Sequence, residues 1–269
     1  MTRARLSFNK TYSSTAKLGN TMGLPRIFTD SPLTTGTDTE LTGNSARHVA
    51  KVLRLSAGDQ IILFDGQGSD FTATIATVSK SSITLNCGTE TPVGTKSPLQ
   101  TELWQGISKG SRMDTVVQKA TELGVTRIRP VFTRYGVVKL DSARALKKVQ
   151  HWQEIAISAC EQCGRADIPA VLPPLSFNEA LDQLDQSDQA AAMMLAPSGD
   201  TPLAQTLSPN ALNIFMVGPE GGFSSEEEAA AKEKGVALIG LGNRILRTET
   251  APITVLSIAQ YLYGDLNNS

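Results

Sequence analysis

The chain has 269 residues, of which 40% are hydrophobic and 19% are charged, and its net charge is −1. This is the balance of an ordinary globular protein with one large or two average domains, and no run approaches the roughly 18 apolar residues of a membrane span. Residues 1–22 are polar and basic without the apolar segment of a secretory signal, so we expect a cytoplasmic protein with no membrane partner. We interpret them as a disordered extension, with an amphipathic targeting peptide as the alternative.

The first part of the chain after this extension predicts a small domain of short strands. Residues 24–29 predict a strand that carries Arg26, and residues 43–55 predict a helix. Three further strands, joined by turns of hairpin length, are predicted at 60–65, 71–78 and 83–87. Together they predict an antiparallel, barrel-like domain over residues 23–92, followed by a linker at 89–98 that contains two prolines and a glycine.

The second part alternates strands with helices. The predicted strands are 100–107, 127–132, 170–172, 190–195, 211–217 and 236–241, and the predicted helices are 112–123, 143–160, 177–184, 225–234 and 249–263. Gly124 stands where a helix of this kind ends, and Ser225 with Glu228 forms a candidate capping box. Such alternation predicts an α/β domain over residues 98–267, with a parallel sheet covered by helices on both faces.

Cysteine and histidine are too scarce to indicate a metal centre. Cys87, Cys160 and Cys163 are an odd number, which argues against a disulfide framework in a chain of cytosolic character. The C-x-x-C spacing of the last two is compatible with redox or metal chemistry, but there is no second pair and the chain has two histidines. We therefore expect no metal, and two buried thiols at the end of a helix.

The charges are unevenly distributed along the chain. Between residues 102 and 148 there are ten Lys or Arg and four acidic residues, whereas between 167 and 234 there are eleven acidic residues and two lysines. The asymmetry indicates either a basic face where phosphates dock or solvated helix faces of opposite sign, and charge alone does not separate the two.

Two glycine-rich turns carry the candidate chemistry. Residues 217–225 read V-G-P-E-G-G-F-S-S, residues 240–252 read G-L-G-N-R-I-L-R-T-E-T-A-P, and each joins a predicted strand to a predicted helix. Glycine lets a ligand approach the main chain closely, and turns at the carboxyl ends of neighbouring strands bind ligands in open α/β sheets. The second turn adds Arg244, Arg247 and Glu249. Dinucleotide-binding, P-loop and nucleophile-elbow motifs are missing.

Longer motifs surround these turns. They are I-F-M-V-G-P-E-G-G-F-S-S-E-E, L-G-N-R-I-L-R-T-E-T-A, A-C-E-Q-C-G-R at 159–165, P-R-I-F, H-V-A-K-V-L-R-L-S-A-G-D at 48–59, K-A-T-E-L-G-V at 119–125 and V-K-L-D at 138–141. Taken together they resemble the RsmE family, the 16S rRNA uridine N3-methyltransferases of the SPOUT superfamily. The resemblance covers nearly everything from residue 24 to residue 266.

The resemblance implies a fold, a cofactor and partners. The fold is an N-terminal PUA-like RNA-binding β-barrel followed by a SPOUT α/β domain tied in a deep trefoil knot, which pattern reasoning alone would not propose because knots are very rare. The cofactor is S-adenosylmethionine, bound in a bent conformation inside the knot. The partners are a second copy of the chain and 16S rRNA, within the assembled 30S subunit.

The resemblance also implies which residues form the cofactor site. Backbone groups of three segments would contact adenine and ribose, with Ile245 and Leu246 closing over the ring. The implied residues are Leu195, Ala196, Pro197, Gly218, Pro219, Glu220, Gly221, Gly222, Leu241, Gly242, Ile245, Leu246 and Arg247. Glu220 either anchors its turn or contacts the cofactor, and the anchor is the preferred interpretation.

Three residues are our hypothesis for the chemistry. Methylation at N3 requires loss of a weakly acidic imide proton and stabilisation of the negative charge that develops on the base carbonyls. Arg247 would hold the base and stabilise this anion, while Glu249 would orient Arg247 or help to relay the proton. Contacts to RNA are expected at Arg26, His48, Arg54 and Arg165, of which Arg26 would grip a phosphate or the target nucleotide and Arg165 has the dimer interface as an alternative.

Two other functions stay open at this point. One is methylation of a ribose 2′-hydroxyl by a related SPOUT enzyme, against which the R-T-E-T continuation and the predicted barrel argue. The other is a non-catalytic RNA-binding or ribosome-assembly protein with a degenerate pocket. That function would be favoured if glycines or arginines were missing from the two turns, and none is missing.

Overall fold

The computed structural model describes residues 23–136, 142–184 and 190–267. Its strands form two sheets, one of five strands and one of seven. The predicted extension 1–22 and the V-K-L-D segment at 138–141 lie outside the described residues. No helix in the described ranges is long and apolar enough to cross a membrane.

The five-stranded sheet is mixed. Its strands are β1 (Arg26–Phe28), β2 (Asp38–Thr42), β3 (Gln60–Phe64), β4 (Ser69–Val78) and β5 (Ser82–Pro92), in the order β1-β3-β4-β5-β2. The prediction of a purely antiparallel domain is wrong at β1, which runs parallel to β3. Register shifts between β4 and β5 mark bulges, which bend and twist a sheet so that it curls around its apolar face.

The helix predicted at 43–55 is shorter in the structure and changes from α-helical to π-helical hydrogen bonding. An α-helical turn, α1 (Gly43–Arg47), continues as a π-helical turn over His48–Val52. Arg54 then adopts a φ of +56°, alone among the non-glycine residues in the described ranges. The left-handed conformation costs a residue with a side chain roughly 1–2 kcal/mol. Both features concentrate at functional sites in proteins.

The seven-stranded sheet is parallel, as predicted. Its strands are β6 (Thr101–Gly106), β7 (Arg127–Phe132), β8 (Ala170–Val171), β9 (Leu175–Ser176), β10 (Ala190–Leu195), β11 (Leu212–Val217) and β12 (Ala237–Ile239). Their order is β12-β10-β11-β6-β7-β8, and β9 also pairs with β7. The central strands β6 and β11 are buried along almost their whole length, because a parallel sheet is covered on both faces.

Helices cover both faces of this sheet, which confirms the predicted α/β layers. They are α2 (Arg112–Glu122), α3 (Ser142–Cys163), α4 (Phe177–Leu184), α5 (Leu203–Thr206), α6 (Ser225–Glu233) and α7 (Thr250–Tyr263). Helices α2, α3 and α7 contribute to one apolar cluster, and α4 and α6 contribute to another. Gly124, with a φ of +77°, ends α2 as expected. The capping box of α6 is Ser224 with Glu227, one residue earlier than predicted.

Arg26 joins the five-stranded sheet to the C-terminal end of α3 and the loop after it, a contact that we call the sheet junction. Its Nη2 and Nε donate to both oxygens of Asp70, at 2.6 and 3.1 Å. Its Nη1 donates to the carbonyl of Cys160 at 2.7 Å, and its Nη2 also donates to that of Arg165 at 3.2 Å. The guanidinium lies 4.5 Å from the centre of the Phe64 ring. Since its donors are used within the protein and 13% of its side chain is exposed, this geometry argues against the predicted contact of Arg26 with RNA.

Arg165 is committed to the same junction. Its Nη1 donates to the carbonyls of Thr121 and Val125, at 2.7 and 3.1 Å, and so caps the C-terminal end of α2. Its Nη2 donates to Asp167 at 2.6 Å, and 6% of the side chain is exposed. As for Arg26, the donors are used within the protein and the side chain is buried, which argues against the predicted contact with RNA or with a second subunit. Both arginines are structural in this geometry.

Replacing Arg165 by Met should destabilise the protein. Met retains the length of the side chain but leaves Asp167 and two backbone carbonyls without their donor, and removing one partner of a buried ion pair typically costs about 3–5 kcal/mol. Urea unfolding followed by circular dichroism measures this destabilisation. As a control, Lys119→Ala removes the partly exposed ion pair with Glu122 and should cost less than about 1 kcal/mol. Unchanged stability combined with weaker RNA binding would contradict the structural role.

Candidate functional site

Two glycine-rich turns meet at one edge of the parallel sheet. The first turn, residues 218–224, follows β11, and the second turn, residues 240–249, follows β12 and leads into α7. Strand β10 lies between β11 and β12 in the sheet. Because parallel strands end at the same edge, the two turns face each other across the end of β10, where α/β sheets bind ligands.

A cleft opens between the turns. It consists of two adjoining cavities of about 210 and 630 Å³, which share Leu195, Pro197, Ile245, Leu246 and Ala251 in their lining. The volumes lie around the roughly 300–1,000 Å³ that small-molecule sites occupy. All thirteen positions expected to contact the cofactor line one or both cavities. The structure thus brings together three segments that are far apart in the sequence.

The first turn requires glycine for two different reasons. Gly222 has a φ of +70°, a conformation that glycine adopts without the strain of a side chain. A Cβ atom on Gly218 would lie 2.8 Å from the backbone of Gly222, which is closer than a side chain tolerates. The turn therefore folds back tightly on itself, and at its glycines it presents main chain to the cleft.

A buried hydrogen-bond network holds the turns together. Thr248 Oγ1 donates to the carbonyl of Gly218 at 2.8 Å and accepts from Gln105 Nε2 at 3.0 Å. Ser108 Oγ lies 3.1 Å from the same hydroxyl oxygen. All three side chains are buried. Gln105 and Ser108 do not belong to a glycine motif, and their one sequence signal is that they are polar residues where a predicted strand ends.

The two carboxylates of the cleft share one arginine. Glu220 Oε1 accepts from Arg112 Nη1 at 2.9 Å and from the backbone nitrogen of Lys109 at 3.1 Å, which favours the anchoring role for Glu220. Glu249 Oε2 lies 3.8 Å from Arg112 Nε. Of the two roles expected for Glu249, orienting Arg247 or relaying the proton, the first has no contact behind it in the described ranges, where Glu249 pairs with Arg112. Sequence reasoning missed Arg112, whose only signal was its place at a helix start within the basic stretch.

Arg247 is open to a ligand. Its side chain is exposed, lines the larger cavity and makes no hydrogen bond or ion pair with the residues that the structure describes. Nearby Ile245 is 89% exposed, although an aliphatic side chain of this size is normally buried. An uncommitted guanidinium and an uncovered apolar side chain at the mouth of a cleft suit a flat, polar ring with carbonyl oxygens.

The residues expected to bind RNA lie away from this cleft, since none of them lines either cavity. Arg26 and Arg165 are in the sheet junction described above. His48 and Arg54 are exposed, in and after the π-helical turn. His48 lies close to Glu161 of α3: burial raises the pKa of the Glu161 carboxyl, while the backbone N–H of Phe28 and the charge of His48 act in the opposite direction.

The cysteines carry no reactive signature. Cys160 is fully buried, and burial raises the pKa of its thiol to about 12. It is therefore protonated at neutral pH, and the thiolate is the form that attacks disulfides and binds metals. Cys163 is half-buried, and both are unpaired thiols. No group of three or more His, Cys, Asp or Glu side chains suited to a metal ion occurs across 23–136, 142–184 and 190–267.

Comparison with known families gives matches to both parts of the chain. Residues 95–260 match the RNA methyltransferase domain, and residues 41–86 match the RNA methyltransferase PUA domain. A curated relative, the ribosomal RNA small subunit methyltransferase E of Bacillus subtilis, is 31% identical over 227 residues, which cover 82% of this chain and 89% of the relative. The match thus extends over nearly the full length of both proteins.

Two solved structures are similar over 90% of this chain and 99% of their own. A methyltransferase from Legionella pneumophila, in complex with the bound cofactor SAM, has a TM-score of 0.85 and 37% sequence identity. The ribosomal RNA small subunit methyltransferase E of Neisseria gonorrhoeae, bound to S-adenosyl methionine, has a TM-score of 0.83 and 40% identity. The chain therefore belongs to the RNA methyltransferase family and, within it, to the ribosomal RNA small subunit methyltransferase E proteins.

Proposed function

We propose that the protein methylates N3 of one uridine in the 16S rRNA of the small ribosomal subunit, with S-adenosylmethionine as methyl donor. The observation that carries this proposal is the cleft between the two glycine-rich turns, which all thirteen expected cofactor positions line. The relatives from Legionella and Neisseria, which were solved with S-adenosylmethionine, support the choice of this cofactor.

The residues of the cleft fit this cofactor. S-adenosylmethionine supplies an electrophilic methyl group on a sulfonium. The glycine-rich turns offer main-chain N–H and C=O groups to a purine and a ribose, which need several hydrogen bonds in fixed directions. Leu195, Ile245 and Leu246 offer the apolar surface that a planar ring requires. The cleft is open to solvent at Arg247, where a nucleotide of a large RNA has access.

We assign binding and deprotonation of the uracil base to Arg247 and Glu249. The guanidinium of Arg247 holds the uracil carbonyls on either side of N3 and stabilises the negative charge that they gain, as an oxyanion site does. Glu249 accepts the imide proton. The N–H bond breaks, and its electron pair forms the new bond from N3 to the methyl carbon. The bond between the donor sulfur and the methyl carbon breaks, and its electron pair stays with sulfur. Glu249 Oε2 is suited to this step because it accepts no hydrogen bond in the described ranges.

A basic face on the first part of the chain supports an RNA partner. Arg47, Lys51 and Lys80 line a cavity of about 330 Å³ together with Ser79, Ser81 and Ser82. Arg54 lies three residues after Lys51, just beyond the end of the π-helical turn, and no ion pair neutralises any of these four cations within the described ranges. Unpaired cations and hydroxyl groups around a hollow suit a phosphate backbone. We infer that this face, with His48 beside it, holds the rRNA.

Close packing of two chain segments supports the deep trefoil knot. The segment after β10 packs against β12: Ala196 N donates to Ile239 O at 3.1 Å and Thr201 N donates to Leu238 O at 3.2 Å. The backbones come so close at Gly199 and Gly240 that a Cβ on either glycine would overlap the other. We propose that the chain passes through the knot here, and that these two glycines are needed because no side chain fits between the crossing strands.

We further propose the biological context of the reaction. Residues 23–92 form the PUA-like unit and residues 98–267 the SPOUT methyltransferase domain, working in the cytoplasm on the 30S subunit. The C-terminal part of α7 exposes Ile258, Tyr261 and Leu262, and Leu266 follows it. Exposed apolar side chains of this number on one short segment suit an interface, which supports a homodimer.

Primer extension across 16S rRNA tests the reaction. Particles of the 30S subunit that lack the methyl group are treated with the protein and S-adenosylmethionine, and we expect one new stop next to a uridine, because a methyl group on N3 removes the donor for base pairing. Arg247→Ala should lower the rate by roughly 100- to 1,000-fold, and Arg247→Lys should also be impaired because it lacks the planar fork.

Each other result has a defined meaning. Methyl incorporation without a stop would indicate a ribose 2′-hydroxyl or a carbon atom as the target. Saturable binding of labelled S-adenosylmethionine without incorporation into 30S particles, naked rRNA or tRNA would point to another substrate. The absence of any such binding would favour a non-catalytic RNA-binding protein. Full activity of Arg247→Lys would contradict the role of the guanidinium.

Replacing Arg47, Lys51 and Lys80 by Ala should weaken binding of the 30S subunit. Each phosphate that the variant no longer neutralises should reduce the slope of log K against log salt by roughly 0.7–0.9, while binding of S-adenosylmethionine should stay unchanged because the cleft lies elsewhere. Filter binding at several salt concentrations measures the slope. Lys232→Ala, which removes an exposed cation from α6, serves as the matched control, and a triple variant with an unchanged slope would contradict the basic face.

A further inference from the structure

Arg112 lies between the two turns of the cleft. It is the first residue of α2, and its side chain, 42% exposed, lines the larger cavity. Its Nη1 donates to Glu220 Oε1 at 2.9 Å, and its Nε lies 3.8 Å from Glu249 Oε2. Glu220 belongs to the first turn and Glu249 to the second. One guanidinium therefore faces a carboxylate from each half of the cofactor cleft.

The two contacts differ in kind. Glu220 is fixed, because the same oxygen also accepts from the backbone nitrogen of Lys109 at 3.1 Å. Glu249 is held by charge alone, since 3.8 Å is longer than a hydrogen bond. Its Oε2 is buried and accepts no hydrogen bond from the residues that the structure describes. A buried polar atom without a partner needs a reason, and a donor brought by the substrate provides one.

We propose that Arg112 is a positioning residue for methyl transfer, a role that rests on the proposed function of the cleft. Through Glu220 it ties the first turn to the start of α2 and so fixes the cofactor-binding backbone. Through its charge it attracts the Glu249 carboxylate and holds it at the cleft, with one oxygen left for the imide N–H of the base. Arg112 acts through these carboxylates and does not itself contact the reacting atoms.

The identity of the side chain fits this role. A guanidinium is planar and presents five donors in fixed directions, so its Nη1 and Nε reach two carboxylates at once, whereas a lysine ammonium is a single point charge. Arg247, on the same cleft, makes no ion pair within the described ranges and is free for the ligand. The two arginines thus have different roles: Arg112 holds the carboxylates of the site, and Arg247 contacts the base.

A pair of double-mutant cycles tests the role. Arg112→Gln should raise the Kd for S-adenosylmethionine, measured by calorimetry, and lower kcat on 30S particles, each by roughly tenfold, a typical coupling between contacting residues. In a Glu220→Gln background the same substitution should no longer raise the Kd. In a Glu249→Gln background it should no longer lower kcat. Arg112→Lys should recover part of the affinity, because it retains the charge but serves one carboxylate.

The controls separate positioning from other roles. Lys119→Ala removes an ion pair from the same helix and should leave Kd and kcat unchanged, and circular dichroism should show that each variant is folded. Effects of Arg112→Gln that persist in full in both mutant backgrounds would overturn the proposal and indicate direct contact of Arg112 with the ligand. Values within twofold of wild type for Arg112→Gln would overturn it as well. If the wild-type protein binds no S-adenosylmethionine, the proposed function itself fails.

Discussion

The cleft depends on one buried hydroxyl group. Thr248 Oγ1, on the second turn, donates to the carbonyl of Gly218 on the first turn and accepts from Gln105 at the end of β6. Three separate strands are thereby held at one point, in a buried setting where hydrogen bonds are strong and an unpaired group is costly. The turns around this point are rich in glycine and have little side-chain packing of their own. Their relative position is therefore set by this network and by the close backbone contact between Gly199 and Gly240.

Helix α2 links this cleft to the sheet junction. Arg165 caps its C-terminal end and is in turn contacted by Arg26 from β1. Arg112 at its N-terminal end reaches both turns of the cleft. Helix α2 has eleven residues and spans roughly 16 Å. Because an arginine side chain holds each of its ends, α2 sets the distance between the five-stranded sheet and the cofactor turns.

The sequence predicted the parts of the fold that local patterns determine. Strand and helix periods, the glycine that ends α2 and the two glycine-rich turns are encoded by neighbouring residues, and they were confirmed. The parallel pairing of β1 with β3 was missed because register between distant strands has no local signal. The capping box was displaced by one residue because S-S-E-E-E offers two registers. The pocket at the two turns was predicted from the residues alone, whereas its individual lining positions and the third segment at 195–197 came from the family resemblance. Arg112, Gln105 and Ser108 needed the tertiary structure.

Counting charges along the chain gave the least reliable guide to the site. Charge alone left two interpretations of the basic stretch at 102–148, a phosphate-binding face or solvated helix faces. Several of its cations are neutralised locally: Arg127 and Arg129 pair with the buried Glu102, Lys119 pairs with Glu122, and Arg112 pairs with the cleft carboxylates. The four cations at 47–80 stand in a segment that no charge count singled out, and they have no such partners in the described ranges. What matters for binding a polyanion is the cation that remains unpaired after folding. Residue type alone does not reveal this. An arginine whose donors are used within the protein and an arginine that is left unpaired for a ligand are the same residue in the sequence.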